Sequence, residues 1–150
     1  MKARLTGFVS ALALAAGAAL LAAGPAHTAT PAVQITKVYY NSPGTDTRSS
    51  KSLNAEYVRL TNRRTSAIKL KGWTLRDKAN HVYTFATYTL GAGKSVYIHT
   101  GKGINSPSHR YWGQGNYVWN NTGDAAYLRT PARTLVDSCS WGSKGSYTAC

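Results

Sequence analysis

The 150-residue chain is short of acid, of metal-ligand clusters and of thiols. Five Asp and Glu stand against 18 Lys and Arg, giving a formal net charge of +13. The five are Asp46, Glu56, Asp77, Asp124 and Asp137, and nothing in the sequence sets two of them face to face. A glycosidase needs two carboxylates across a cleft, so that chemistry is not indicated. Residues 41–47 offer hard oxygens for calcium but only one carboxylate, Asp46, too little for a tight site. His81, His99 and His109 lie 18 and 10 positions apart, which is no zinc spacing. No cofactor is expected. Gly101-Lys102-Gly103 lacks the strand–loop–helix setting of a phosphate cradle and reads as a turn. There are two cysteines, Cys139 and Cys150, with no His near either in sequence. In an exported chain the default for such a pair is a disulfide. It closes a short C-terminal loop and contributes about 2–3 kcal/mol in the chain-entropy model.

Long hydrophobic runs are also scarce. One exists, Phe8 to Ala23, preceded by Lys2 and Arg4 and followed by Gly24-Pro25-Ala26 and His27-Thr28-Ala29. That is the layout of a secretory signal peptide. The run is Ala-rich and shorter than the roughly 20 residues a spanning helix needs. Residues 1–29 are therefore expected to be a leader, cleaved after Ala26 or Ala29, and residues 30–150 a single secreted domain. Without Lys2 and Arg4, the 18 basic residues fall by two, and against five acids the domain carries a net charge of +11. A surplus of this size keeps a protein soluble and draws it to polyanions.

Helical periodicity is missing outside the leader. A period of two takes its place. Residues 33–40 alternate, then Val58 and Leu60 oppose Tyr57, Arg59 and Thr61. Ile68 and Leu70, Trp73 and Leu75, Tyr83 and Phe85, and Val96 and Ile98 repeat the pattern. Gly and Pro punctuate it at the spacing of an all-β sandwich. Residues 41–52 and 101–115 read as loops. Residues 117–119 and 126–128 read as a hairpin around Gly123, and a last strand is expected over about residues 135–138. The expected core is Ile35, Val58, Leu60, Leu70, Trp73, Leu75, Phe85, Val96, Ile98, Trp119 and Leu128. A buried Trp there needs a partner for its N–H.

Several segments, taken in order, are more specific than any one alone. They are Val38-Tyr39-Tyr40-Asn41 with Pro43-Gly44, Glu56-Tyr57-Val58-Arg59-Leu60-Thr61-Asn62, and Leu70-Lys71-Gly72-Trp73-Thr74-Leu75-Arg76-Asp77. Phe85 and Leu90 follow, then Trp119-Asn120-Asn121-Thr122-Gly123-Asp124 with Leu128, and Val136-Asp137-Ser138. Over about residues 33–140 the chain resembles the lamin tail domain, the immunoglobulin-like module of nuclear lamins and of exported prokaryotic proteins. The resemblance implies an all-β, immunoglobulin-like antiparallel β-sandwich without catalytic residues, serving as a binding or structural module. The chain departs from the family pattern at Ala55, where the family usually has Asn, and at Arg59, where it usually has Glu. No ligand residue of the lamins carries over.

Alternation places Tyr57, Arg59, Arg76, Tyr97, His99, Tyr127 and Arg129 outside. Arg63, Arg64, Lys69 and Lys71 lie close by in sequence. Cations meet phosphates, and rings stack on bases or sugars. The preferred partner is an extracellular polyanion, nucleic acid or anionic wall polysaccharide. It would be held by Arg59, Arg63, Arg64, Lys69, Lys71, Arg76, Arg129, Tyr97 and His99. Two alternatives stand beside it. One is a carbohydrate platform of Tyr111 and Trp112. The other is a weak secreted nuclease using Glu56, Arg59, Arg76 and His99.

Overall fold

The computed structural model describes residues 29–150. The leader, apart from Ala29, lies outside the described residues. In chain order the elements are β1 (Val33–Tyr39), α1 (Ser50–Ala55), β2 (Tyr57–Asn62), β3 (Ile68–Lys69), β4 (Thr74–Arg76) and β5 (Val82–Thr84). They continue with β6 (Thr89–Leu90), β7 (Ser95–His99), β8 (His109–Tyr111), β9 (Asp124–Arg129), β10 (Leu135–Trp141) and β11 (Tyr147–Ala149). One sheet has the order β11-β1-β2-β7-β8 and the other β10-β9-β4-β5, with β3-β6 as a small ribbon. The two sheets pack as an immunoglobulin-like sandwich, and every strand pair but one is antiparallel.

Alternation sets the core. In β2, Val58 and Leu60 are fully buried while Tyr57, Arg59 and Thr61 turn outward; β7 repeats this with Val96 and Ile98 in and Tyr97 and His99 out. Both strands bring Leu60 and Val96, and Val58 and Ile98, into register. Of the expected core only Trp73 falls short: it is half-buried and packs against the core from its edge. Trp119 is inside, with Nε1 buried and unpartnered, whereas Trp141 Nε1 donates to the Asn120 carbonyl at 2.9 Å.

A bulge at Thr36 interrupts β1 between Ile35 and Lys37. There the Ile35 N–H donates to Asp137 Oδ2 at 2.7 Å, so a β10 carboxylate bonds to a backbone group of the opposite sheet. The Cys139–Cys150 disulfide makes a second link between the layers. Cys139 is in β10 of one sheet, and Cys150 follows β11 of the other.

Four expectations change. The loop over residues 41–52 ends in the helix α1, whose N-cap Ser49 accepts a hydrogen bond from the Ser52 N–H. Six residues with one buried side chain, Leu53, are too few to show a period. The loop over residues 101–115 contains β8, which runs parallel to β7 across a crossover. Residues 117–119 form no strand, because the Val118 and Trp119 N–H groups donate to a side chain, and β9 pairs with β10 and β4 instead. Finally, the C-terminal loop holds β11, three residues on the edge of β1.

Candidate functional site

The acids are spent inside the fold. Glu56 is fully buried at the start of β2. It accepts from Thr100 Oγ1 at 2.5 Å and from the Val118 and Trp119 N–H groups at 3.1 Å each. Burial pushes its carboxyl up to about 7, and the three donors oppose that rise. Asp77 accepts from the His81 N–H at 2.7 Å and lies 2.6 Å from His81 Nδ1. Asp124 accepts from the Lys78, Asn120 and Ala125 N–H groups. Asp137 holds the bulge. Only Asp46 stays on the surface. Among the described residues the one ion pair is His81–Asp77, and no Lys or Arg is paired with a carboxylate.

Against this background the outer face of the five-stranded sheet stands out. Every strand contributes a ring: Tyr147 from β11, Tyr39 from β1, Tyr57 from β2, Tyr97 and His99 from β7, and His109 and Tyr111 from β8. Neighbouring strands are close enough for one row to form. Centroids lie 5.8 Å apart for Tyr147–Tyr39, 5.6 Å for Tyr39–Tyr57, and 5.4 Å for Tyr57–Tyr97. The row continues at 5.2 Å for Tyr97–His109 and 5.0 Å for His99–Tyr111. Lys37 Nζ sits 4.0 Å from the Tyr147 centroid, and Arg59 Nε donates to Thr36 Oγ1 at 2.8 Å. Arg63 joins the same face, its Nε donating to Gln34 Oε1 at 2.8 Å. The far end of the row is closed, because a Cβ on Gly103 would fall among the Tyr111 ring carbons.

The two histidines form a relay. His99 Nδ1 is 2.7 Å from the Asn54 carbonyl, and His99 Nε2 is 2.9 Å from His109 Nδ1. A carbonyl only accepts, so His99 Nδ1 carries the proton. Neutral His99 then accepts at Nε2 from the His109 Nδ1–H. Burial holds His99 below its ordinary value, the Asn54 bond opposes this, and His109 adds to the depression.

The Lamin Tail Domain family model matches residues 26–143. The chain belongs to the lamin tail domain family. No curated protein gives a significant match. The family consists of non-enzymatic, immunoglobulin-like domains, in keeping with the sandwich described above.

The other residues singled out in the sequence of this lamin tail domain are divided by its two sheets. Arg59, Tyr97 and His99 share the ringed face, with Arg63 and Arg64 at its end on the turn after β2. Lys69 in β3 and Lys71 beyond it lie on the ribbon side. Arg76 and Arg129 are on the outer face of the opposite sheet. The nuclease set does not converge: Glu56 points into the core, His99 outward from the adjacent strand, and Arg76 lies across the sandwich. Tyr111 and Trp112 form no common platform. Tyr111 stacks on His99 outside, while Trp112 turns inward against Tyr83 and Trp119. The sequence reading missed Tyr39, Tyr147, His109 and Lys37. Strict alternation from Val33 and Ile35 would place Lys37 and Tyr39 inward; the bulge at Thr36 turns them out, and β8 and β11 had to be recognised before His109 and Tyr147 could join them.

Proposed function

We propose that this lamin tail domain is an exported, non-catalytic module that holds an extracellular polyanion, nucleic acid or anionic wall polymer, on the ringed face of its five-stranded sheet. One observation carries the reading: Lys37, Arg59 and Arg63 flank a row of seven Tyr and His rings on a face that carries no Asp or Glu side chain among the described residues. Rings supply stacking surface for bases or sugars, and unpaired cations supply the electrostatic attraction. The basic turn at Arg63 and Arg64 extends the track beyond the sheet.

The test is retention of residues 30–150 on immobilised heparin and on single-stranded DNA as salt is raised. Binding is expected at low salt and should fall steeply. The K37Q/R59Q and R63E/R64E variants should elute earlier while keeping the wild-type fold by circular dichroism. Retention indifferent to salt, or unchanged in both variants, would remove this reading. Salt-resistant binding of neutral glycans, with Tyr fluorescence changes, would favour the carbohydrate alternative on the same rings.

A further inference from the structure

The opposite face of the molecule carries a different feature. A cleft of about 600 Å³ opens on the β9-β4-β5 side of the four-stranded sheet, lined by Thr74, Arg76, Asn80, Val82, Arg129 and Arg133. That is within the usual range for small-ligand sites. Three of its six lining residues are arginines and none is acidic.

Two of the arginines are held in place. Arg76 Nη1 donates to Asn80 Oδ1 at 2.9 Å, and its guanidinium lies 5.7 Å from the Tyr127 centroid. Arg129 Nη1 donates to the Arg133 carbonyl at 3.0 Å. Asn80 and Arg133 come from the two turns that rim the cleft, and both are left-handed, with φ of 69° and 65°. For Arg133 that conformation is strained, and such strain collects at functional positions.

Arg76 Nε and Arg129 Nε are buried against the protein, so each guanidinium meets the cleft through its terminal nitrogens. Nη1 of each is held by the protein, Nη2 of each makes no hydrogen bond to it, and no carboxylate is at hand, so these donors are open to an acceptor from outside the chain. A carboxylate needs only one guanidinium fork. Three guanidiniums with the Thr74 hydroxyl suit a tetrahedral dianion, whose oxygens accept bidentate bonds from several directions. Val82, exposed to 43 %, gives an apolar rest for a carrier group.

We infer that this cleft binds a dianionic phosphate, either free or as the monoester end of a larger ligand, through Arg76, Arg129 and Arg133. The site is on the other sheet from the ringed face and does not depend on the polyanion reading.

The experiment is a titration of residues 30–150 at fixed ionic strength, read by NMR of the arginine Nε–H signals. The probes are inorganic phosphate, phenyl phosphate and dimethyl phosphate, with sodium chloride as control. Saturable shifts of Arg76 and Arg129 with inorganic phosphate are expected. Tighter binding of phenyl phosphate assigns the site to a monoester end, and tighter binding of inorganic phosphate assigns it to the free ion. Dimethyl phosphate, a monoanion, should bind at least about tenfold more weakly. The R129Q/R133Q variant should lose at least about tenfold in affinity, and K37Q/R59Q should not. Shifts that chloride reproduces, equal binding of the diester, or full affinity in R129Q/R133Q would overturn the site. Should R129Q/R133Q fail to fold, R133K decides: its ammonium lacks the planar fork, and undiminished affinity would overturn the assignment.

Discussion

Glu56 shows how a single residue can be absorbed by the fold. Its carboxyl lies under the loop that carries Val118 and Trp119 and ties that loop to Thr100. A folded-state value near 7 against an ordinary 4.5 means that the native protein holds this proton more tightly than the unfolded chain. The associated stability is therefore complete below pH 4.5 and is lost as pH rises through 7, amounting to about 3 kcal/mol at most. His99 works in the other direction. Its lowered value means that protonation favours the unfolded chain, so its contribution is present above its ordinary 6.5 and fades as pH falls. Glu56→Gln removes the first effect and points an amide N–H at a donor. We expect E56Q to be less stable by about 1–3 kcal/mol at pH 8, from the lost acceptor. The deficit should widen as pH falls towards 5. Urea denaturation at several pH values checks this, and a deficit that stays constant or narrows would contradict it.

At the scale of elements, the last strand depends on its neighbours. β11 has three residues, pairs along one side with β1, and is fastened by Cys150 to β10. Cys150→Ser should cost about 2–3 kcal/mol by the chain-entropy argument. Hydrogen exchange should show the amides of residues 147–149 opening far more readily than those of β2. Unchanged protection there would mean that strand pairing alone holds β11. The strands with strong alternation, β2 and β7, were legible in the sequence, and so was the core they build around Val58, Leu60, Val96 and Ile98. The short elements were not. α1 has one buried residue, β8 has three half-buried ones, and β11 has an exposed Tyr at its head, so none leaves a period to read. The candidate face was half legible for the same reason. Tyr57, Tyr97 and His99 came from strands with clear alternation, Tyr39 lay beyond the bulge that reverses it in β1, and the two ends came from β8 and β11. The arginine cleft was less visible still, because Arg133 reaches it through a left-handed turn that composition does not announce.

Taken whole, the molecule separates its charges by depth. Glu56, Asp77 and Asp124 are buried on backbone donors and Asp137 is committed to the bulge, so the surplus of +11 in the domain faces water almost without counter-charge. Counterion release then governs any polyanion complex. For a single strand, each phosphate that is no longer neutralised should lower the log–log salt slope by about 0.7, so K37Q/R59Q should flatten it by about 1.4. A slope identical to that of the wild type would take those two side chains out of the interface.

The strand fastened by Cys150 has one more consequence. β11 caps the open side of β1, whose amides and carbonyls would otherwise lie bare along residues 37–39. Should the sulfur bridge be reduced and the cap lift away, that border becomes a template for an extended segment of another molecule. The bridge thereby makes the three-residue β11 the border of the sheet in place of the seven-residue β1, and reduction would be expected to lengthen the edge on offer.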